Sequence, residues 1–502
     1  MRLSFMPITR VSPRPTLCAA AGLLVALGLL LPAPAAARLT TPPPYALTDV
    51  GTFGGPDAGL NGPAIQITSK GAVLGSADTT IADNDFPNFN PFLAPDPFIY
   101  HAFEWQNGQL TDLGALPGNN SSAVFEVNGR GVGAGSSETR ALDPLTGYPA
   151  EHAVLFKDGT VIDLGTLPGG HESQALAIND RGQVAGFGNN GVPDPVSVFN
   201  FNNWTTQTRA FIWQDGVMHD LGTLGGPDAD LATLNARGQV AGDSYTNSTP
   251  NAATGTPTTH PYLWTAGRMR DLGTLGGTST LTKWLNNRGQ VVGESNLAGD
   301  QASHPFFWDG EHLRDLGTFG GNFGQANYIN DAGDVVGYAA LPGSNSAHAF
   351  LWRHGVMTDL TGAGSSQCTF AAWTNSHDQI VGGTCDGSDA LLWDDGKQYD
   401  LNTLVAPSDV HLTEAALIDD RGDIAALGVL PNGSQHVFLL RPTNAELLAS
   451  NVSNAHHHPL NHRPMNKDRL NRCLARIHAI VGTRLANCRK SAPPSDKARC
   501  CG

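Results

Sequence analysis

Charged residues are few in this chain, 15% of its 502, and basic ones are fewest: 30 Lys and Arg stand against 45 Asp and Glu. Between Arg38 and Pro442 the imbalance sharpens to 17 against 42, a charge of −25. Gripping a nucleic acid by its phosphates needs a basic surface, so no nucleic-acid partner is expected for that region. Long apolar runs are scarce too. The one near the N-terminus, Leu17 to Leu31, is stopped by Pro32 and Pro34 short of the roughly 20 residues that a membrane span needs, so no transmembrane segment is expected in the mature chain. There is no Gly-x-Ser-x-Gly, no His-Glu-x-x-His and no Cys-x-x-Cys pair. The local signatures of α/β-hydrolases, zinc proteases and zinc or redox dithiol sites are therefore lacking. What is plentiful is Gly (59) and Pro (33), which suits an all-β protein of many short elements separated by turns.

The first 37 residues read as an export signal. Arg2, Arg10 and Arg14 make a basic start, the apolar run follows, and Ala35-Ala36-Ala37 offers a small-residue cleavage site, so the mature chain is expected to begin near Arg38 and to be periplasmic or secreted.

A repeat fills most of what remains. Asp-Leu-Gly or a variant recurs at Asp49, Asp112, Asp163, Asp220, Asp271, Asp315, Asp359 and Asp400. A short apolar segment ending mostly in an aromatic recurs as HAFEW (His101), HAVLF (His152), RAFIW (Arg209), HPYLW (His260), HPFFW (His304), HAFLW (His348), DALLW (Asp389) and HVFLL (His436). A third element ends in Asn and runs into a Gly-led strand, as in ALAINDRGQVAG (175–186). Each unit thus holds four strand-like pieces joined by tight turns, in which Asn179 can cap its own turn and Gly182 can adopt the left-handed conformation. Units of about 50 residues with four antiparallel strands are the blades of a β-propeller. A lone LTDVG strand at Leu47 begins the region and a lone HVFLL strand ends it. The expected architecture is therefore an eight-bladed β-propeller spanning 38–442, its last blade completed by the N-terminal strand. A right-handed β-solenoid is the alternative fold, but it would not need the split terminal unit.

The pattern HAFLW, then Asp-Leu-Gly-Thr-Leu-Gly-Gly, then Ile-Asn with Gly-Gln-Val-Val-Gly resembles the HAF-repeat family of extracellular repeat proteins over residues 45–442. Thr68 in the first unit and Asp419 in the eighth depart from the Asn of the motif. The resemblance implies an exported repeat protein and carries over no activity and no catalytic residues.

Eight-fold recurrence decides several local readings. DLGTLGG (220–226) looks like a phosphate loop, but no Lys-Ser/Thr or helix follows, and it reads as the crossover between blades. The six repeated His (101, 152, 260, 304, 348, 436) would be held apart by the ring, so they cannot share a metal. They are expected to bond a repeated Asp (112, 163, 220, 271, 315) or a turn carbonyl. The repeated Trp (105, 213, 264, 308, 352, 393) is expected to pack between blades.

Function is sought where the units differ. The first and third carry long links, 79–100 and 187–208, rich in Asn, Asp, Pro and aromatics: Phe86, Phe89, Phe92, Tyr100, Phe199, Phe201 and Trp204. Two readings stay open: the aromatics cover the blades or plug the channel, or they grip a glycan or protein ligand. A binding module is the leading expectation; a glycosidase or lyase with acids at the channel mouth is the alternative, and it would show a carboxyl of strongly raised pKa there. Asp83 and Asp85 offer oxygen ligands to Ca²⁺ without the full calcium-loop pattern, so no cofactor is expected. Cys368 and Cys385 lie symmetrically about a turn at 375–378 and should form a disulfide across a hairpin. Residues 443–465, with His456-His457-His458, read as a linker, and 466–502 as a basic tail, helical in part. Cys473 and Cys488 can pair only if that helix breaks, because an unbroken one sets them about 22 Å apart. Cys500 and Cys501 have no reading.

Overall fold

A computed structural model describes residues 44–443, apart from 63–66, 69, 85–95, 119, 146, 198–205, 253 and 344–345. The signal-like segment, the linker beyond Thr443 and the Cys-containing tail lie outside the described residues. Within them the chain forms eight sheets, each of four antiparallel strands. Blade 1 comprises Gly54–Gly59, Val73–Ala82, Phe98–Gln106 and Gln109–Gly114; blade 2, Ser122–Val127, Gly133–Leu142, Pro149–Lys157 and Thr160–Asp163. Blade 3 comprises Ser173–Ile178, Val184–Pro193, Thr206–Gln214 and Val217–Asp220; blade 4, Thr233–Leu234, Gln239–Tyr245, Thr259–Thr265 and Arg268–Asp271. Blades 5, 6 and 7 begin at Gly276, Gly324 and Thr369. In blade 8, His411–Ile418, Ile424–Val429 and Gln435–Pro442 are completed by Tyr45–Asp49, which pairs with the last of them from Tyr45↔Pro442 to Asp49↔Phe438. The eight-bladed propeller closed by its own N-terminus is thus the fold.

From blade 2 through blade 8 the first strands of successive blades pack side by side. The repeat residues explain why the blades hold their shape. Phe306 of HPFFW is fully buried, and its ring lies over Gly293 of the preceding strand. A Cβ there would come within 2.9 Å of that ring and 2.1 Å of the Leu281 carbonyl. The last glycine of the Gly-Gln-Val-Val-Gly motif is thus the space into which the HAF phenylalanine fits, and burying such a ring stabilises by about 2 kcal/mol. Between third and outer strands of blade 6 the turn is two residues, His354 (φ 51°) and Gly355 (φ 87°), the paired positive φ that a twisted hairpin of this length requires.

Turns between first and second strands are joined around the ring by their Asn. Asn179 Oδ1 accepts from the N–H of Arg181 (3.0 Å) and Gln183 (3.2 Å), holding its own turn. Its Nδ2 donates to the carbonyl of Asn235 in the next blade (3.2 Å). Asn235 does the same to Asn286 (3.0 Å), Asn286 to Asn330 (2.9 Å) and Asn375 to Asp419 (2.9 Å). At the seam, Arg421 reaches the Thr68 carbonyl (3.3 Å), so the two departures from Asn flank the closure.

Candidate functional site on the loop face

Crossovers between blades and links from second to third strands share one face. At the crossover into blade 4, Gly225 has φ 117° and the Gly226 N–H donates to the Tyr245 carbonyl (2.9 Å). A Cβ on Gly226 would lie 2.4 Å from that of Tyr245. The glycine pair of DLGTLGG therefore serves close passage over the end of a second strand. The crossover into blade 7 has no such pair. There Cys385 N–H donates to the Cys368 carbonyl (3.0 Å) and a Cys368–Cys385 disulfide, Cα–Cα 5.3 Å, ties the same two segments.

The links that look long in sequence are partly strand. Second strands of blades 1, 2 and 3 have ten residues each, against seven, seven, six, five and six in blades 4 to 8. Each extension follows the same irregularity, between Asp78 and Ala82, Glu138 and Leu142, and Asn189 and Pro193. The extensions also share their turn chemistry. Asp143 and Asp194 accept from Leu145 N–H (2.8 Å) and Val196 N–H (3.0 Å), and Asp83, in the matching place, donates its N–H to the Pro97 carbonyl (3.0 Å). Blade 2 therefore belongs with blades 1 and 3, although its link contains no aromatic cluster. The tips carry exposed apolar side chains: Ile81 (44%), Leu142 (63%), Leu145 (48%) and Val192 (47%).

Next to this crown, where blade 3 meets blade 4, lies a cleft lined by Asp228, Asp230, Asp243, Tyr245 and Thr259. It has room for about one water. Blade 4 opens it by breaking the pattern, since its first strand is only Thr233–Leu234. Asp228 accepts from Thr208 N–H (2.9 Å), and Asp230 from Asp243 N–H (2.8 Å). Asp243 accepts from the Thr280 hydroxyl (2.5 Å) and Thr282 N–H (2.6 Å) of blade 5. Tyr245 donates its hydroxyl to the Val196 carbonyl (3.2 Å), seating the blade 3 extension over the cleft. Burial, then the charges of Asp243 and Asp228, hold the half-buried Asp230 carboxyl well above the usual carboxylate range. A carboxyl kept protonated at neutral pH can donate a hydrogen bond to a hydroxyl or release a proton to a leaving group.

Other repeat residues are structural. His101, His152, His260 and His304 place Nδ1 at 2.8–3.0 Å from Asp112, Asp163, Asp271 and Asp315, and His348 lies 2.9 Å from Asp359. In blade 3 Arg209 takes the place of His against Asp220 (3.0 Å). In blade 7 Asp389 takes the place of His, and His411 of blade 8 approaches it at 3.7 Å. Trp308 lies under Arg270 of blade 4 (4.7 Å) and Trp352 against Phe307 of blade 5 (5.1 Å), so both pack between neighbouring blades. Trp105 and Trp393 are buried, Trp213 and Trp264 half-buried.

Of the aromatics expected to bind or cover, Tyr100 is half-buried on the third strand of blade 1, its N–H near the Ser121 hydroxyl (3.4 Å). Phe86, Phe89, Phe92, Phe199, Phe201 and Trp204 lie outside the described residues, as does Asp85. Among the described residues no three His, Cys, Asp or Glu are placed to hold a metal ion, and no helix is long and apolar enough to cross a membrane.

The buried acids are what sequence reasoning missed. Their signal was faint but present: Glu172 stands, after its Asp-Leu-Gly segment, where blade 2 carries Ser121, each accepting a backbone N–H of the preceding blade.

No protein-family model and no curated protein matches this chain. Among solved structures it is similar to the β-propeller domain of the trilobed protease of Pyrococcus furiosus, at 8% identity over 61% of this chain and 91% of that one, TM-score 0.38. It is similar to an ulvan lyase of a polysaccharide lyase family, at 11% identity over 80% and 99%, TM-score 0.36. It is also similar to dipeptidyl peptidase 4 of Porphyromonas gingivalis, at 9% identity over 66% of this chain and 53% of that one, TM-score 0.41, and so spans about half of that peptidase.

Proposed function

We propose that this chain is an exported binding propeller of the HAF-repeat kind that takes a glycan on the loop face of blades 1 to 4. One observation carries the reading: only blades 1, 2 and 3 extend their second strands, and their exposed apolar tips stand beside the aspartate-lined cleft. Apolar side chains that meet C–H faces, next to carboxyl groups that meet hydroxyls, suit a sugar. The signal-like N-terminus and the disulfide support export.

A second reading is favoured by Asp230. Its half-buried carboxyl, held above the usual carboxylate range by burial and by Asp243 and Asp228, suits a glycosidase or lyase acid, with Asp228 or Asp243 as the second carboxyl group.

Both readings are tested by screening the chain from Arg38 onward against a broad glycan panel, beside folded variants Leu142→Ser with Val192→Ser, Phe201→Ala with Trp204→Ala, and Asp230→Asn. Loss of a hit in the tip or aromatic variants supports the binding site. Release of new sugar ends by the parent chain, lost in Asp230→Asn, establishes the enzyme. No glycan bound by the parent chain overturns the proposal and leaves a protein ligand.

A further inference from the structure

Four carboxyl groups meet where blades 2 and 3 join: Glu138 on a second strand, Asp143 in the turn beyond it, Glu151 on the third strand and Glu172 just before the first strand of blade 3. They are 6, 0, 1 and 1% exposed. Ser121 N–H donates to Glu138 (2.8 Å), Leu145 N–H to Asp143 Oδ1 (2.8 Å), Gln174 Nε2 to Glu151 Oε2 (2.8 Å) and Glu151 N–H to Glu172 Oε2 (2.7 Å). Asp143 Oδ2 and Glu151 Oε1 meet no fixed donor.

A buried carboxylate oxygen without donor or counter-ion is too costly to leave so. Glu172 lies against Asp143 and becomes a donor to it only when it carries a proton. The groups acting on the pair are acids and neutral donors. Burial first, then Glu151 and Asp143, push Glu172 up to about 10. Burial and Glu138, opposed by Ser136 and Gln174, leave Glu151 at about 7. Asn189 of blade 3 accepts from the N–H groups of His171 (2.7 Å) and Glu172 (3.3 Å), and Gly170 passes so close to Asn189 that a Cβ would lie 1.9 Å from its carbonyl. The blade 3 side is therefore fixed. On the blade 2 side Asp143 is buried beneath a tip whose Leu142 and Leu145 are exposed.

We propose that a proton shared by Glu172 and Asp143 latches the blade 2 extension to blade 3, and that its loss at alkaline pH releases this part of the loop face. One blade further on, the phenol of Tyr245 ties the matching extension at Val196. Burial, then the charges of Asp228, Asp230 and Asp194, raise that phenol above its ordinary range, so this tie outlasts the latch. A group whose folded pKa is raised contributes stability that is fully present below its unfolded value and is lost as pH rises through the folded one, here from about pH 4.5 to about 10.

The test is hydrogen exchange of residues 139–145, corrected for the intrinsic rate, on the chain from Arg38 at about pH 6 and about pH 10. Protection should fall at the higher pH, while the segment around Val196 keeps its own. In Glu172→Gln, whose amide donates permanently, protection should survive at both; Asp143→Asn, donating the other way, carries the same expectation if the first variant does not fold. Glu126 and Glu414, raised to about 8 and about 7, remain in both variants, so the difference from the parent reads the latch alone. Equal protection of the parent at both pH values, or equal loss in parent and variants, overturns the proposal. So does recovery at high pH on adding Ca²⁺, which would make the cluster a cation site.

Discussion

Asp49 and His436 are 387 residues apart in the chain, and both oxygens of the one carboxylate lie 2.9 Å from Nδ1 of the other. Six blades contain a His–Asp pair, but this one joins the first strand to the last. The hydrogen bond that His436 donates to Asp49, against the opposing effect of burial, raises the His436 pKa. Burial works to raise Asp49, and the hydrogen bonds from His436 and Gly51 N–H, with the His436 charge, outweigh it.

The clamp should therefore be strongest between the two pKa values. The His436 contribution is present below about 6.5 and lost as pH rises through its raised folded pKa; that of Asp49 is present above about 3.8 and lost as pH falls through its lowered one. His436→Ala should cost about 1 kcal/mol, the pair being partly exposed. It should lower Tm more than His152→Ala, which breaks the same bond in a blade of continuous chain. Equal losses would mean that the clamp adds nothing to ring closure.

Reduction of Cys368–Cys385, or replacement of both by Ser, should destabilise blade 7 by about 3 kcal/mol, as expected for a short closed loop. Thermal melts with and without reductant check this, and the double variant should no longer respond to reductant.

Gly226→Ala forces a Cβ to 2.4 Å from that of Tyr245 and should cost about 2 to 3 kcal/mol. Gly216→Ala, at φ 86° with nothing within 4 Å, should cost about 1 kcal/mol from backbone conformation alone. Urea midpoints of the two variants separate crowding from strain.

Asn235→Ala removes two acceptor bonds and the donor bond to blade 5 at a buried site, and should cost about 2 kcal/mol. Asn235→Asp should cost less, because Arg237 stands two residues on, as Arg421 does from Asp419 in blade 8, where the two pair at 2.5 Å. Denaturant titration ranks the three chains.

Much of the fold was legible because repetition turns a weak local signal into a strong one. HAFLW alone is an ambiguous apolar run; eight copies in phase with Asp-Leu-Gly fix four strands per unit, and the unpaired strand at each end fixes the closure. The reach of the extensions was not legible. Thr79–Ala82 and Asn190–Pro193 look like polar links because their neighbours pair only across an irregularity, which has no periodicity to detect. The site was least legible of all. Asp228, Asp230 and Asp243 come from two segments of blade 4, and Glu138, Asp143, Glu151 and Glu172 from two blades.

The sequence by itself determined the strands, their order and the ring, since those follow from side-chain alternation, turn chemistry and eight-fold repetition. Only the tertiary structure decided which acids lose water and meet one another. The cost of burying a carboxyl depends on neighbours brought from other blades when the ring closes, and no local pattern encodes that.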